Sequence, residues 1–167
     1  MKGEMIVVQY SLQWTSVSDM LRMHGVAEVI KEYAKIAGFV NEKAVSALEY
    51  YRNYALLLDE KGAKCCAIIG NDNHCYGFGV LYAEKFWHND TIVGNVSDLY
   101  VMKCARKAGK GTALLNAIKE KAKELNCVQV LFTATANTRA EKLYNKIFKK
   151  RSTVYVWENN LWHQAQR

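Results

Sequence analysis

The chain has 167 residues, half of them hydrophobic and 23% charged, a balance that supplies a core and excludes intrinsic disorder. No run reaches the roughly 18 apolar residues of a membrane span, and the N-terminus lacks the apolar stretch of a signal peptide. The net charge of +7 is uneven: residues 103–151 hold 13 Lys and Arg against 3 Asp and Glu, leaving the remainder acidic by 3. A basic half suits a polyanionic cofactor, and nucleic acid would exploit the same field.

Glu4–Gln13 alternates as a first strand. Ser18-Asp19 opens an amphipathic region to Ala37, broken or bent at Gly25, and Asn41 caps a second helix through Glu60. Lys64–Ile69 and Cys75–Phe86 are β-rich runs joined by the turn Gly70-Asn71-Asp72-Asn73. His88-Asn89-Asp90 turns into a strand over Thr91–Met102. Helix Gly111–Leu125 carries Leu114, Ile118, Ala122 and Leu125 on one face, and Val128–Ala134 reads as a buried parallel strand. Thr138 and Glu141 make a capping box for a helix with Ala140, Leu143, Tyr144, Ile147 and Phe148 at helical spacing, and Ser152–Glu158 is a closing strand.

No linker, repeat or proline divides the chain, so a single domain over 1–167 is expected. Five cysteines are an odd number without metal-ligand spacing. Cys65 and Cys66 alternate to opposite faces of a strand, so reduced thiols of a cytoplasmic protein are expected, with no metal.

Arg106-Lys107-Ala108-Gly109-Lys110-Gly111 joins a strand to a helix. Its glycines permit positive φ and close backbone approach to an anion; the helix N-terminus and three basic side chains add positive charge. The pattern R-x-x-G-x-G, preceded by Asp98-Leu99-Tyr100-Val101-Met102 and followed by Thr112-Ala113-Leu114-Leu115, resembles the acyl-coenzyme-A signature of the GNAT superfamily of N-acetyltransferases. Asn137-Thr138-Arg139-Ala140-Glu141-Lys142-Leu143-Tyr144 resembles that family's second signature. The resemblance is specific over Val96–Phe148 and consistent in layout elsewhere.

The resemblance implies an α/β GNAT-type fold: a mixed central sheet of about six to seven strands with about four helices, in the order β-α-α-β-β-β-α-β-α-β. It implies acetyl-CoA as co-substrate and direct acetyl transfer to a primary amine on a small molecule or protein. The pyrophosphate would lie on Arg106, Lys107, Ala108, Gly109, Lys110, Gly111 and Thr112. Pantetheine would run beside Leu99 and Val101, with Asn137 hydrogen-bonding it, and backbone N–H groups near Val101 would polarise the thioester carbonyl. Tyr144 would stand beside the sulfur, where a phenol can hydrogen-bond the leaving thiolate.

Many family members carry a glutamate base on the strand before the turn. Here that region reads Asn95-Val96-Ser97-Asp98, so Asp98 is the candidate base, against a structural aspartate at a strand bulge or a water held by Ser97. The family often has Gly-Phe after the second helix where this chain has Ile147-Phe148, so the helix is expected to run on through Lys149-Lys150. A further C-terminal strand would be missing or supplied by a partner copy, which leaves a homodimer open. Glu28, Glu32, Glu42, Glu49, Asp59 and Glu60 on the N-terminal helices would steer a cationic amine, and Tyr50, Tyr51 and Tyr54 would offer it aromatic faces. Two rivals remain: a nucleic-acid-associated acetyltransferase, disfavoured because no basic strand is interleaved with aromatics, and a non-catalytic acyl-CoA-binding module.

Overall fold

Alternation along Lys64–Gly70 sets the architecture. Cys65 and Ala67 point into one core, Cys66 and Ile68 into another on the opposite face, and all four are buried. A sheet buried on both faces needs helices on both. The computed structural model describes residues 9–37, 47–86, 90–134 and 137–150. The expected cap at Asn41 and the closing strand Ser152–Glu158 lie outside them.

Among the described residues five strands form one sheet, in the order β1 (Tyr10–Thr15), β2 (Lys64–Gly70), β3 (Cys75–Lys85), β4 (Ile92–Val101), β5 (Gln129–Phe132). Neighbours are antiparallel except β4 and β5, which are parallel because a helix carries the chain back between them. The expectation of six to seven strands is therefore corrected to five described ones. The four expected helices become six among the described residues: α1 (Val17–Met20), α2 (Val26–Ala37), α3 (Ala47–Glu60), α4 (Lys103–Arg106), α5 (Lys110–Glu124) and α6 (Arg139–Ile147). The extra two are single turns. One splits from α2 before Gly25 (φ 76°), and the other fills the approach to the glycine turn. None of the described helices is long and apolar enough to cross a membrane.

Helices α1, α2 and α3 cover one face, Met20, Ile30 and Tyr51 sharing a core with Phe78 of β3, and α5 covers the other through Leu114, Ile118 and Ala122. The first helix begins at Val17, one residue earlier than Ser18. Ser16 caps it, its hydroxyl accepting from the Asp19 N–H at 3.0 Å. Asp59 at the end of α3 accepts the Val17 and Ser18 N–H groups at 2.8 and 3.0 Å, so a carboxylate expected to steer substrate instead ties two helices together. Asp59→Ala strands both donors and is expected to lower stability by about 1–2 kcal/mol, read by urea unfolding. An unchanged midpoint would remove that role.

Strand β5 is not buried as expected: Gln129 and Leu131 are exposed among the described residues while Val130 and Phe132 pack inward. Nor does α6 run on. It ends at Ile147 without a glycine, and Phe148 turns extended (φ −123°, ψ 153°). Stacking of Phe148 on Phe132, 4.5 Å between ring centres, favours that exit.

The detail that most affects function is a bulge in β4. Val96 pairs with Leu81 and Asp98 with Val80, leaving Ser97 as one extra residue. Residues two apart on a regular strand share a face, yet Val96 joins the α5 core while Asp98 meets α2. The bulge makes that change of face.

Candidate active site

Strands β4 and β5 pair only from Val93↔Gln129 to Val96↔Phe132. Beyond Ser97 they part, and Asp98–Val101 has no strand on that side among the described residues. The Met102 N–H donates to Tyr76 O on β3 at 2.8 Å. Backbone alternation then places the N–H and C=O of Leu99 and Val101 on the open edge. Arg106 Nε donates to Val101 O from there at 2.7 Å. This edge forms one wall of a cleft of about 840 Å³, whose other walls come from α2, α3, α6 and the chain after β5.

At one end lies the glycine turn. Gly109 adopts φ 70°, the left-handed conformation glycine reaches without penalty, and stands at the N-cap of α5. No side chain caps α5, so its first N–H groups, on Lys110, Gly111 and Thr112, are available to an anion. A Cβ built on Gly109 or Gly111 would meet nothing within 4 Å, so the backbone there is unobstructed. Of the residues assigned to the cofactor, Leu99, Val101, Arg106 and Gly111 line the cleft, and Lys107, Ala108, Gly109, Lys110 and Thr112 flank Gly111 outside the lining.

The side chains differ from expectation. Lys110 Nζ donates to Tyr10 O on β1 at 3.3 Å, so its charge is drawn toward the sheet edge and its backbone N–H is what the turn offers. Arg106 lies over the Tyr100 ring, 5.4 Å from its centre. Asn137 is exposed, outside the lining, at φ 64°. Its N–H donates to Glu141 Oε2 at 2.7 Å, while Thr138 Oγ1 accepts from Glu141 N–H at 3.3 Å. The capping box thus closes on Asn137 rather than on the cap residue itself.

Farther along the open edge, Asp98 is 5% exposed and is the one carboxylate among the described lining residues. Its Oδ1 accepts from the Tyr33 hydroxyl at 2.6 Å and its Oδ2 from Ser97 Oγ at 2.7 Å. Burial, then the Asp98 charge, pushes the Tyr33 phenol far above its usual range. Tyr54 is also raised, by burial and then by Asp98, and a hydrogen bond with Ser97 offsets part of this. The Tyr51 hydroxyl is buried beside the same carboxylate without a well-formed hydrogen bond. Tyr144, on α6, lines the cleft at 9% exposure, and burial raises its phenol to about 12. The fold therefore brings Asp98 and Tyr144 to one cleft.

Tyr33 was not singled out from sequence. Nothing in its local pattern separates it from a core position on α2, and only the bulge brings Asp98 to it. The steering carboxylates are elsewhere. Glu32 accepts the Tyr100 hydroxyl at 2.6 Å, Glu28 lies 3.9 Å from His74, Asp59 caps α1, and Glu42 lies outside the described residues. Glu49 and Glu60 are exposed and do not line this cleft. Cys104 is exposed and does not line this cleft.

Solved structures with this architecture are numerous. A ribosomal-protein-alanine N-acetyltransferase from Brucella melitensis biovar Abortus 2308 superposes with a TM-score of 0.70 at 20% identity, over 92% of this chain and all of that one. Glucosamine-6-phosphate N-acetyltransferase from Arabidopsis thaliana gives 0.64 at 16%, over 90% and 99%. An aminoglycoside acetyltransferase from an uncultured soil metagenomic sample, in complex with sisomicin, gives 0.67 at 13%, over 90% and 95%. At such identities the likeness shows the fold alone. No curated protein sequence matches the chain. The model of the acetyltransferase (GNAT) family matches residues 26–149. That match spans the bulged strand, the glycine turn and α6, and with it the chain belongs to the GNAT family of acetyltransferases.

Proposed function

We propose that the protein transfers an acetyl group from acetyl-CoA directly to a primary amine in the cleft beside β4. The observation that carries this reading is the open edge of β4, which runs from the buried Asp98 past Leu99 and Val101, whose outward backbone groups pair with no strand among the described residues, to the uncapped start of α5. An extended amide-bearing arm can hydrogen-bond such an edge, and a pyrophosphate suits a helix N-terminus.

In this reading Arg106, Lys107, Ala108, Gly109, Lys110, Gly111 and Thr112 hold the pyrophosphate, chiefly through backbone N–H groups. The Val101 N–H polarises the thioester carbonyl, held in place because Arg106 fixes the adjoining carbonyl. The amine nitrogen bonds to the carbonyl carbon, the carbon–sulfur bond breaks, and the coenzyme leaves as thiolate. Tyr144 donates a hydrogen bond to that sulfur. An alkylammonium of pKa about 10.4 gives up its proton at pH 7 at a cost near 4.6 kcal/mol, and Asp98 accepts it directly or through water. Asn137, whose backbone N–H is engaged in capping α6, would offer the pantetheine its side-chain amide.

Thiol release from acetyl-CoA, measured with purified protein and a panel of amines, tests the proposal. Absence of thiol release and of acetylated product with every amine would leave a binding module. Because the one carboxylate among the described lining residues is buried, salt should matter little: kcat/KM for a cationic acceptor is expected to change less than about threefold between low and high salt. A steep fall would return the steering role to the exposed acidic residues.

A further inference from the structure

Among the described residues, the acceptor end of the cleft is aromatic and holds one carboxylate, Asp98. Tyr33 and Tyr54 flank Asp98, and Tyr51 packs behind both, with ring centres 6.3 Å from Tyr33 and 5.6 Å from Tyr54. Tyr100 tilts against Tyr33 at 6.0 Å. Farther out stand Tyr50, 46% exposed, and Ile36, 47% exposed, both lining the cleft. The other charged side chains among the described lining residues are cations, Arg106 and Arg139.

We infer that the acceptor is a small monoamine with an aromatic or apolar body, its ammonium at Asp98 and its body between Tyr33, Tyr54 and Tyr50. The inference rests on the acetyltransferase reading and narrows it. One ammonium is satisfied by one buried carboxylate and the tyrosine faces around it. A second or third ammonium in the same cleft would meet Arg106 and Arg139 and, among the described residues, no second lining carboxylate to pair it. Polyamines and aminoglycosides are disfavoured on that ground. The apolar walls reward a body that gives up water on entry, and the cleft volume lies in the range of small-ligand sites.

The test compares phenethylamine and n-hexylamine with spermidine, kanamycin and a tripeptide bearing an apolar N-terminus, using the full chain and acetyl-CoA. Expected is a kcat/KM for phenethylamine at least tenfold above that for spermidine, kanamycin or the peptide. Tyr54→Leu and Tyr50→Ala should each raise the phenethylamine KM severalfold while the acetyl-CoA KM stays within twofold. Tyr50 is partly exposed, so that variant keeps the test valid if Tyr54→Leu does not fold. Preference for spermidine or kanamycin would overturn the inference and leave acetyl transfer standing, as would preference for the peptide, which would point to a protein N-terminus. An unchanged phenethylamine KM in folded variants would overturn it too. If no amine is acetylated, the inference falls together with the reading beneath it.

Discussion

Tyr144→Phe is expected to lower kcat by about 10- to 1000-fold, the span usual for one transition-state donor, with acetyl-CoA affinity nearly intact. The hydroxyl is the only group removed. Burial raises that phenol to about 12, so it stays protonated across the working range and can donate to a leaving thiolate of pKa near 8.5. Full proton transfer would be uphill by several units, so the loss reads as one missing hydrogen bond. The same shift sets a sign for stability. A phenol raised on folding stabilises the protein fully below its unfolded value near 10, and that contribution is lost as pH rises through about 12. Between pH 6 and 10 Tyr144 therefore gives kcat no alkaline limb. A variant that keeps its rate but unfolds earlier would make Tyr144 only a packing partner of Phe132 and Phe148.

Gly109→Val should weaken acetyl-CoA binding at least tenfold by calorimetry. Valine at φ 70° is strained by about 1–2 kcal/mol, and its branched side chain stands over the N–H groups that open α5. A Cβ there meets no neighbour, so the fold tolerates the change and the loss falls on the ligand. Arg106→Glu should lose at least as much, because it reverses a charge and also releases the Val101 carbonyl. Lys107→Ala removes charge alone from an exposed position and should cost only a few-fold. Unchanged affinity in both Gly109→Val and Arg106→Glu would end the cradle assignment.

Much of this site is legible in the sequence because its signals are local. Gly109 needs no tertiary context to adopt positive φ, and Thr138 and Glu141 meet within one helical turn. Leu114, Ile118 and Ala122 announce the buried face of α5 by spacing alone. Side-chain destinations are not local. Lys110 lies 100 residues from the Tyr10 carbonyl it reaches, and Asp59 lies about 40 from the amides it caps. A count of acidic residues on α2 and α3 cannot tell a steering carboxylate from a structural one. Phe148 leaves the helix for a stacking partner on β5 that no capping rule contains.

By itself the sequence determined the strand–turn–helix unit around Gly109 and the crossover that makes β5 parallel to β4. Helical and strand periodicities and glycine conformation act over a few residues, so these follow without the rest of the chain. Only the tertiary structure decided which way Asp98 faces. One extra residue, Ser97, moves that carboxylate from the α5 core to the tyrosines of α2 and α3, and so sets which groups surround it in the cleft. A bulge is a mismatch between two strands, and β4 acquires it only on pairing with β3.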